Sequence, residues 1–274
     1  MIKIITDSSS DFPEEYKEKY DVEIVPLNVI FDGVSYIDGV EITKEDFYKK
    51  LEKSKELPST SQVNPVAFEE VFRKYIDNGD SIVGIFLSSK LSGTYQSAVI
   101  AAETVGGDIH IVDSQSATLG ISILIMEAVK MREEGKSAKE IAEKINVLAE
   151  KTRIIALVST LKYLKKGGRI SGAAAAMGGI LNICPIVELK NGEITPVGKI
   201  RGSKGFSNFV EEYLQKNPLD ANYCMAFGHT RCEDKMNEVI DIFGREKKYI
   251  MGEIGAIVGT HAGPGAVGIV YISK

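Results

Sequence analysis

The chain has 274 residues, of which 44% are hydrophobic and 26% charged, and its formal net charge is -5. This composition is typical of a folded globular protein, and the length favours two domains over one. The acidic balance, without a basic cluster that carries interleaved aromatic residues, argues against nucleic acid as a partner.

The sequence gives no support for a signal peptide, a membrane span or a disulfide framework. The N-terminal apolar run becomes polar at Thr6 and Asp7, too early for a signal peptide. The longest nearly apolar stretch, residues 173–187, is interrupted by glycine and proline before it could form a membrane span. Three cysteines without paired spacing indicate neither a disulfide framework nor a zinc site: Cys184, Cys224 and Cys232. We therefore expect a cytoplasmic protein without a metal or cofactor.

Strand and helix patterns alternate through the first half of the chain. Strands are predicted over residues 2–6, 22–31, 81–87 and 108–112, and helices over 12–20, 43–53, 65–77, 94–105, 117–134 and 137–150. Pro26 places the second strand at an edge or makes it irregular, and residues 60–64 are predicted to form a loop between two helices. This alternation predicts an α/β domain over residues 1–152, with a largely parallel sheet flanked by helices.

The pattern changes after residue 152. Two extended runs, residues 184–190 and 193–200, flank Asn191-Gly192, which is a strong signal for a β-hairpin. Further strands are predicted over 153–158, 223–228, 248–254 and 267–272, and helices over 204–215 and 232–243. An antiparallel hairpin among such elements predicts a second, α+β domain over residues 153–274, with a mixed sheet.

Two stretches rich in hydroxyl side chains lie at boundaries between elements. Residues 58–62 contain Thr60, and residues 88–97, which contain Ser92, follow a buried strand and lead into a helix. Ligands bind at this position in parallel α/β sheets, and helix N-termini suit phosphate or carboxylate oxygens. Ordinary helix capping is an equally good interpretation of each stretch alone. Their occurrence in one domain favours an anion site.

Two basic side chains in glycine-rich segments are further candidates. Arg169 follows Gly167-Gly168 and can reach an anion or a partner, although a solvated basic turn explains it equally well. His261 precedes Gly263-Pro264-Gly265, where its imidazole can donate to an oxygen. A lone histidine is usually structural, as we expect for His110 and His229.

Catalytic and metal-binding alternatives have less support. The pattern Gly-x-Ser-x-Gly is absent, but Ser89 and Ser92 remain open as nucleophiles, with His261 as base, in a hydrolase or phosphatase. No glycine-rich nucleotide motif occurs, and the histidines have no metal-ligand spacing. Three aspartates at strand ends can bind a metal or simply cap loops: Asp7, Asp11 and Asp113.

An ordered set of short motifs spans the whole chain. These are Asp7-Ser8-Ser9-Ser10-Asp11, Thr60-Ser61-Gln62, Leu91-Ser92-Gly93-Thr94-Tyr95-Gln96-Ser97-Ala98, Asp113-Ser114, Gly167-Gly168-Arg169-Ile170-Ser171 and His261-Ala262-Gly263-Pro264-Gly265. Together they resemble the DegV family of bacterial fatty-acid-binding proteins. Two departures are mild: Val63 follows Gln62 where the family commonly has proline, and Ser9 replaces a common threonine.

The resemblance implies a function and roles for particular residues. It implies a non-catalytic protein with two domains, a long-chain fatty acid in a tunnel between them, and at most transient contact with membranes. The hydroxyls of Thr60 and Ser92, with Gly93 and His261, are expected to bind the carboxylate. Some family members carry acyl chains for a two-component fatty acid kinase, whose separate ATP-binding subunit makes acyl phosphate. Head-group or partner contacts are expected from Ser61, Arg169 and Arg201.

Two apolar segments are candidates for the tunnel wall. They are residues 173–183 and residues 119–126, and ordinary core packing is the alternative interpretation of both.

Overall fold

The computed structural model of the chain describes residues 1–170, 184–201, 204–244 and 247–274. Its strands are β1 (Ile2–Asp7), β2 (Val22–Val25), β3 (Asn28–Phe31), β4 (Val34–Ile37), β5 (Ser59–Ser61), β6 (Ser81–Phe86), β7 (Ile109–Asp113), β8 (Thr152–Leu157), β9 (Cys184–Lys190), β10 (Glu193–Ile200), β11 (Met225–His229), β12 (Tyr249–Glu253) and β13 (Val267–Ile272). Its helices are α1 (Glu14–Lys19), α2 (Lys44–Lys53), α3 (Pro65–Ile76), α4 (Thr94–Val105), α5 (Leu119–Glu133), α6 (Ala138–Lys151), α7 (Lys162–Gly167), α8 (Lys204–Lys216), α9 (Glu233–Phe243) and α10 (Ala256–Ala262).

The first half of the chain forms the predicted parallel sheet. Its four strands lie in the order β2-β1-β6-β7, and every neighbouring pair is parallel. The central strands β1 and β6 are almost continuously buried, because helices cover both faces of such a sheet. The predicted helices over residues 94–105 and 137–150 are present as α4 and α6, and Ser137 and Glu140 form a capping box at the start of α6.

The second half forms the predicted mixed sheet. Its six strands lie in the order β10-β9-β8-β13-β11-β12, and only the pair β11 and β12 is parallel among these described strands. The β9–β10 hairpin turns at Asn191 and Gly192, whose φ values of 52° and 80° are those that this two-residue turn requires. β8 is its first strand in chain order, beginning at Thr152. A domain boundary between residues 152 and 153 stays a prediction.

A third, small sheet corrects two predictions. Residues 22–31 do not form one strand, because Pro26 and Leu27 separate β2 in the parallel sheet from β3 in a three-stranded sheet of order β4-β3-β5. Proline has no N–H to donate, so the ladder is interrupted there. The predicted loop at residues 60–64 is also partly wrong. Thr60 lies in β5, opposite Val29 of β3.

Helix α10 connects the two halves of the molecule. It precedes β13 of the mixed sheet, and it packs against α2, α7, β3 and β5. Within the described ranges, no helix is both long and apolar enough to cross a bilayer. The predicted tunnel wall at residues 173–183 lies outside the described residues.

Candidate functional site

A cavity of about 340 Å³ lies where β5, the loop before α4 and helix α10 meet. The residues that line it are Leu27, Thr60, Ser61, Gln62, Leu87, Leu91, Ser92, Gly93, Ala117, Arg169, Ile194, Ile257, Val258 and His261. We call it the polar cavity, because hydroxyl, amide, imidazole and guanidinium groups line it. It contains every residue that the family resemblance implies for carboxylate, head-group or partner contacts except Arg201.

Thr60 and His261 are in direct contact in this cavity, although 201 positions separate them. Thr60 Oγ1 lies 3.0 Å from His261 Nε2. Thr60 is held by the pairing of β5 with β3, and His261 lies in the last turn of α10. The small sheet and helix α10 therefore place a hydroxyl and an imidazole side by side.

The environment of His261 determines which hydrogens it carries. Burial and, to a smaller extent, the nearby positive charge of Arg169 lower the pKa of the imidazole to about 4, so the ring is neutral at neutral pH. Nδ1 is buried and has no hydrogen-bond partner among the described residues. An unpaired buried N–H is rarer than an unpaired acceptor, which favours the tautomer with hydrogen on Nε2. In that tautomer His261 donates to Thr60, whose own O–H can donate into the cavity.

Gly167 at the end of α7 fixes the position of the imidazole. A Cβ atom at residue 167 would lie 2.1 Å from His261 Nδ1, far inside van der Waals contact. The ring therefore packs directly against the backbone of Gly167. The sequence indicates this glycine only as part of a glycine-rich segment before Arg169.

A second set of hydrogen bonds holds the Ser92 hydroxyl in place and leaves its hydrogen available to the cavity. The backbone N–H of Thr94 donates to Ser92 Oγ at 3.2 Å, and Thr94 Oγ1 lies 3.0 Å from the same oxygen. Thr94 Oγ1 in turn accepts from the N–H of Val63 at 3.4 Å. When the Thr94 hydroxyl donates to Ser92 Oγ, the Ser92 O–H is left to donate toward the cavity. Thr94 lies in one of the sequence motifs and Val63 directly follows another, but sequence reasoning assigned neither a role in the site.

Gly93 and its neighbours complete the hydroxyl wall. A Cβ at Gly93 would lie 2.0 Å from Gln62 Oε1, so a larger residue in the loop before α4 would displace the Gln62 side chain. Gln62 donates to Ser97 Oγ at 3.0 Å and thereby ties the two hydroxyl stretches together. Ser61 lines the same cavity, and Asn28 donates to its Oγ at 3.5 Å.

The two candidate arginines occupy different places. Arg169 lines the polar cavity, and its Nε donates to the carbonyl oxygen of Leu91 at 3.0 Å. Its Nη1 donates to the carbonyl oxygen of Gly167, so the guanidinium is held between the hydroxyl loop and α7. Arg201 is exposed just after β10 and lines neither this cavity nor the apolar cavity beside it.

An apolar cavity of about 110 Å³ adjoins the polar one. Its lining is Ala117, Thr118, Leu119, Ile154, Ala156, Val158, Leu164, Val187, Leu189, Ile194, Gly228, Thr230, Ile254, Val258, His261, Ala262, Ala266, Val267, Gly268 and Val270. Four residues line both cavities: Ala117, Ile194, Val258 and His261. The cavity lies between one face of the mixed sheet and helices α5 and α10. A polar compartment thus continues into an apolar one.

Helix α5 contributes less of this wall than the sequence suggested. Within the predicted segment 119–126, only Leu119 lines the apolar cavity. Ile121, Ile123 and Leu124 pack in the main hydrophobic core, which is the alternative interpretation of that segment.

Thr118, immediately before α5, is a wall residue that sequence reasoning missed. Its φ of 48° is unfavourable for a β-branched residue. Two buried hydrogen bonds hold it: its N–H donates to the oxygen of Ser9 at 2.9 Å, and its hydroxyl donates to Asp11 Oδ2 at 2.7 Å. Such strain costs roughly 1–3 kcal/mol and is often found at ligand sites.

Among the described residues, Ser89 and the three aspartates named as alternatives have hydrogen-bond partners of their own. Ser89 is exposed outside both cavities and donates to Asp113 Oδ2, while the hydrogen-bond partner of His261 is Thr60. Asp7 and Asp113 accept from backbone N–H groups in the manner of loop caps. Throughout the described ranges, no three potential metal ligands lie close enough together to bind an ion.

Comparison with known proteins gives consistent matches over the full length. The model of the DegV family, which is described as uncharacterised, matches residues 1–274. A DegV domain-containing protein of Caldanaerobacter subterraneus is 39% identical over 278 residues and covers 100% of this chain and 99% of that protein.

Solved structures agree with this result. A stearic-acid-binding protein from Eubacterium ventriosum superposes with a TM-score of 0.91 and 32% identity, covering 100% of this chain and 99% of the other. A DegV family protein from Thermus thermophilus, described by its fatty acid binding, gives a TM-score of 0.90 and 31% identity, with 100% and 99% coverage. The two-domain α/β architecture is therefore the one that these proteins share.

Proposed function

Because the chain belongs to the DegV family, we propose that it binds a long-chain fatty acid, with the carboxylate in the polar cavity and the acyl chain in the apolar cavity. The observation that carries this proposal is the junction of the two cavities at Ala117, Ile194, Val258 and His261. An amphiphile with one anionic end fits such a pair of compartments. The solved relatives described as fatty-acid-binding proteins support the same ligand class.

The hydroxyls of Thr60 and Ser92 are the proposed carboxylate donors. Each hydroxyl has a protein partner that can donate to it: His261 Nε2 for Thr60, and Thr94 for Ser92. A buried carboxylate without partners would cost many kcal/mol, while hydrogen bonds to a charged group return roughly 1.5–3 kcal/mol each. The backbone of Gly93 and the guanidinium of Arg169 lie in the same cavity and add to the stabilisation of negative charge.

The acyl chain supplies most of the affinity. Burial of one methylene contributes about 0.8 kcal/mol, so about fourteen methylenes offer on the order of 11 kcal/mol before association and ordering costs are subtracted. The lining of the apolar cavity suits this contribution, because among the described lining residues the polar side chains are only Thr118, Thr230 and His261. All three are engaged in hydrogen bonds with the protein.

We extend the proposal to a carrier role. The fatty acid would be presented to a separate fatty acid kinase subunit, which binds ATP and forms acyl phosphate, as the resemblance implies. Thr60 and Ser92 are only partly buried, so a carboxylate held by them can be reached from outside. Arg169 at the cavity and the exposed Arg201 are the proposed contacts for this partner. The cytoplasmic location is part of the same proposal.

The ligand is tested on the purified native protein. Mass spectrometry of an organic-solvent extract should find a fatty acid in about stoichiometric amount, and titration of the delipidated protein should recover binding. The double variant Thr60→Ala/Ser92→Ala should bind at least tenfold more weakly because it loses both hydroxyl donors. Ser89→Ala is the matched control, since this serine of the same loop lies outside the cavity. Unchanged binding by the folded double variant would overturn the site.

The carrier role requires a separate experiment. The loaded protein is mixed with ATP and a bacterial fatty acid kinase subunit, and acyl phosphate is trapped as hydroxamate. Product that depends on both proteins supports the role. Fatty acid binding without any product, over a panel of such subunits, would remove the carrier role and leave the binding function.

A further inference from the structure

The mixed sheet carries a row of small residues across neighbouring strands. Ala156 of β8 is directly opposite Gly268 of β13, and Gly268 is directly opposite Gly228 of β11. All three line the apolar cavity. Residues paired in this way point to the same face of a sheet, so the row makes a shallow trough perpendicular to the strands.

The two ends of this trough differ. Toward β10 the row continues through Val187 of β9. Ile194 of β10 pairs with Leu189, two residues further along β9 on the same face, and lines both cavities, so it marks the side next to the polar cavity. Gly228 lies four strands further along the order β10-β9-β8-β13-β11, a separation across the strands of about 19 Å at the usual strand spacing of about 4.8 Å. This distance is comparable with an extended long-chain acyl group.

Ile254 covers the far end of the trough. A Cβ atom built at Gly228 would lie 2.8 Å from Ile254 Cδ1 and 3.3 Å from Leu119 Cδ1. Both side chains are buried and line the apolar cavity. Beyond them the next residue in the row, Gly252 of β12, has nothing within 4 Å of a built Cβ and does not line the cavity.

From this arrangement we infer that the acyl chain crosses the strands of the mixed sheet from Ile194 toward Gly228, and that Ile254 is the stop that sets the longest chain accepted. The inference rests on the proposed function, because it requires the carboxylate to lie in the polar cavity. Shortening Ile254 lengthens the space available to the methyl end. Adding a methyl group at Gly228 shortens it.

The test is the dependence of affinity on chain length. Delipidated wild-type protein, Ile254→Ala and Gly228→Ala are titrated with saturated fatty acids from lauric to arachidic acid. In the wild type each added methylene should tighten binding about fourfold until the stop is reached, after which affinity falls. The longest acid accepted should become longer by about one or two methylenes in Ile254→Ala and shorter by about one in Gly228→Ala.

Matched controls separate this effect from a general loss of packing. Ile250 is a buried isoleucine four residues earlier that does not line the apolar cavity, so Ile250→Ala should keep the wild-type limit. Gly252→Ala is the control for Gly228→Ala, because its added Cβ meets no neighbour. If Ile254→Ala does not fold, Ile254→Val removes a single methylene and should still shift the preference toward longer acids.

The possible outcomes test the role of Ile254 separately from fatty acid binding itself. A wild type that binds the series while Ile254→Ala and Ile250→Ala share one length limit would overturn the role of Ile254 and leave the proposed function. A delipidated, folded wild type that binds no acid of the series would overturn the proposed function and this inference with it.

Discussion

His261 is neutral in the free protein because burial holds the pKa of its imidazole near 4, below the ordinary 6.5. Between these two pH values the unfolded chain binds a proton that the native state does not bind. The free energy of unfolding should therefore fall as the pH falls from 6.5 toward 4, by about 1.4 kcal/mol per unit of pKa difference. We expect His261→Gln, whose amide can still donate to Thr60, to lack this part of the pH dependence.

The measurement is the difference in unfolding free energy between wild type and His261→Gln at several pH values. His110→Gln is the control, because His110 bonds to Asp108 at the sheet edge, away from both cavities. A wild-type minus His261→Gln difference that stays constant from pH 7 to pH 4 would contradict a buried neutral imidazole.

The contribution of Asp38 to the unfolding free energy changes with pH in the direction opposite to that of His261. Burial, together with the charges of Asp11 and Asp7, raises the pKa of this carboxyl from 3.8 to about 6, against the hydrogen bond from Ser8 and the charge of Lys44. Below 3.8 the native state gains from holding the proton, and that contribution is lost as the pH rises through 6. Asp38→Asn mimics the protonated form, so its stability relative to wild type should increase from pH 4 to pH 7.

Urea unfolding of wild type and Asp38→Asn at pH 4, 5, 6 and 7 measures this trend. The gain should reach on the order of 2–3 kcal/mol at pH 7. An Asn variant that loses stability relative to wild type as the pH rises would show that Asp38 is instead stabilised as a carboxylate.

At the scale of elements, helix α10 carries His261 and is fixed at its beginning by side chains from the first half of the chain. The N–H of Gly255 donates to Asp11 Oδ1 at 2.7 Å, and Tyr48 Oη donates to the carbonyl oxygen of Ile254 at 2.8 Å. Lys44 Nζ donates to the oxygen of Glu253 at 2.6 Å. These contacts hold seven helical residues too short to be stable alone.

Gly259 in the middle of α10 allows close packing on α2. A Cβ there would lie 2.8 Å from Tyr48 Oη and 2.9 Å from Phe47 Cε1, and both rings are almost fully buried. Gly to Ala inside a helix normally stabilises by about 1 kcal/mol, but Gly259→Ala should destabilise by at least 1–2 kcal/mol because these rings have little room to move. It should also weaken fatty acid binding, since His261 moves with the helix.

Thermal unfolding and fatty acid titration of Gly259→Ala measure these two effects, with Gly252→Ala as the control whose added Cβ meets nothing. A Gly259→Ala protein as stable as wild type, with unchanged affinity, would show that α10 can shift without consequence.

Local chemistry determined which elements were predictable from the sequence. The β9–β10 hairpin was predicted with the correct bounds because Asn191-Gly192 specifies its own turn. Strand β5 was missed because its three residues show no periodicity and are ordered only by pairing with β3. Pro26 predicts an irregular strand, but nothing in the sequence predicts that the chain leaves the parallel sheet there and enters the small sheet.

At the scale of the whole molecule, the sequence pattern predicts two domains and the family resemblance implies a site between them, but neither predicts how the site is supported. The proximity of Thr60 and His261 depends on packing between segments 201 residues apart. Gly228 and Gly268 carried a usable signal, since glycine inside a strand often marks close approach of a ligand or another chain. The sequence alone does not show that the two glycines are paired, and only the register of β11 with β13 places them opposite each other on one face.

A ligand in the apolar cavity contacts the mixed sheet together with α5 and α10, so it binds the folded protein and not the unfolded chain. Saturating fatty acid should raise the unfolding free energy by about 2.7 kcal/mol at a free concentration one hundred times Kd. The methyl ester of the same acid keeps the acyl chain and loses the carboxylate, so it should stabilise the wild type less.

Comparing the acid and its methyl ester in the wild type and in Thr60→Ala/Ser92→Ala isolates the contribution of the carboxylate to binding. The extra stabilisation given by acid over ester should largely disappear in Thr60→Ala/Ser92→Ala, whereas the stabilisation given by the ester should be nearly the same in both proteins. Calorimetric melting temperatures at matched ligand concentrations provide the four values. An acid-over-ester difference that survives in the double variant would assign the carboxylate to other groups of the polar cavity, with Arg169 the first to examine.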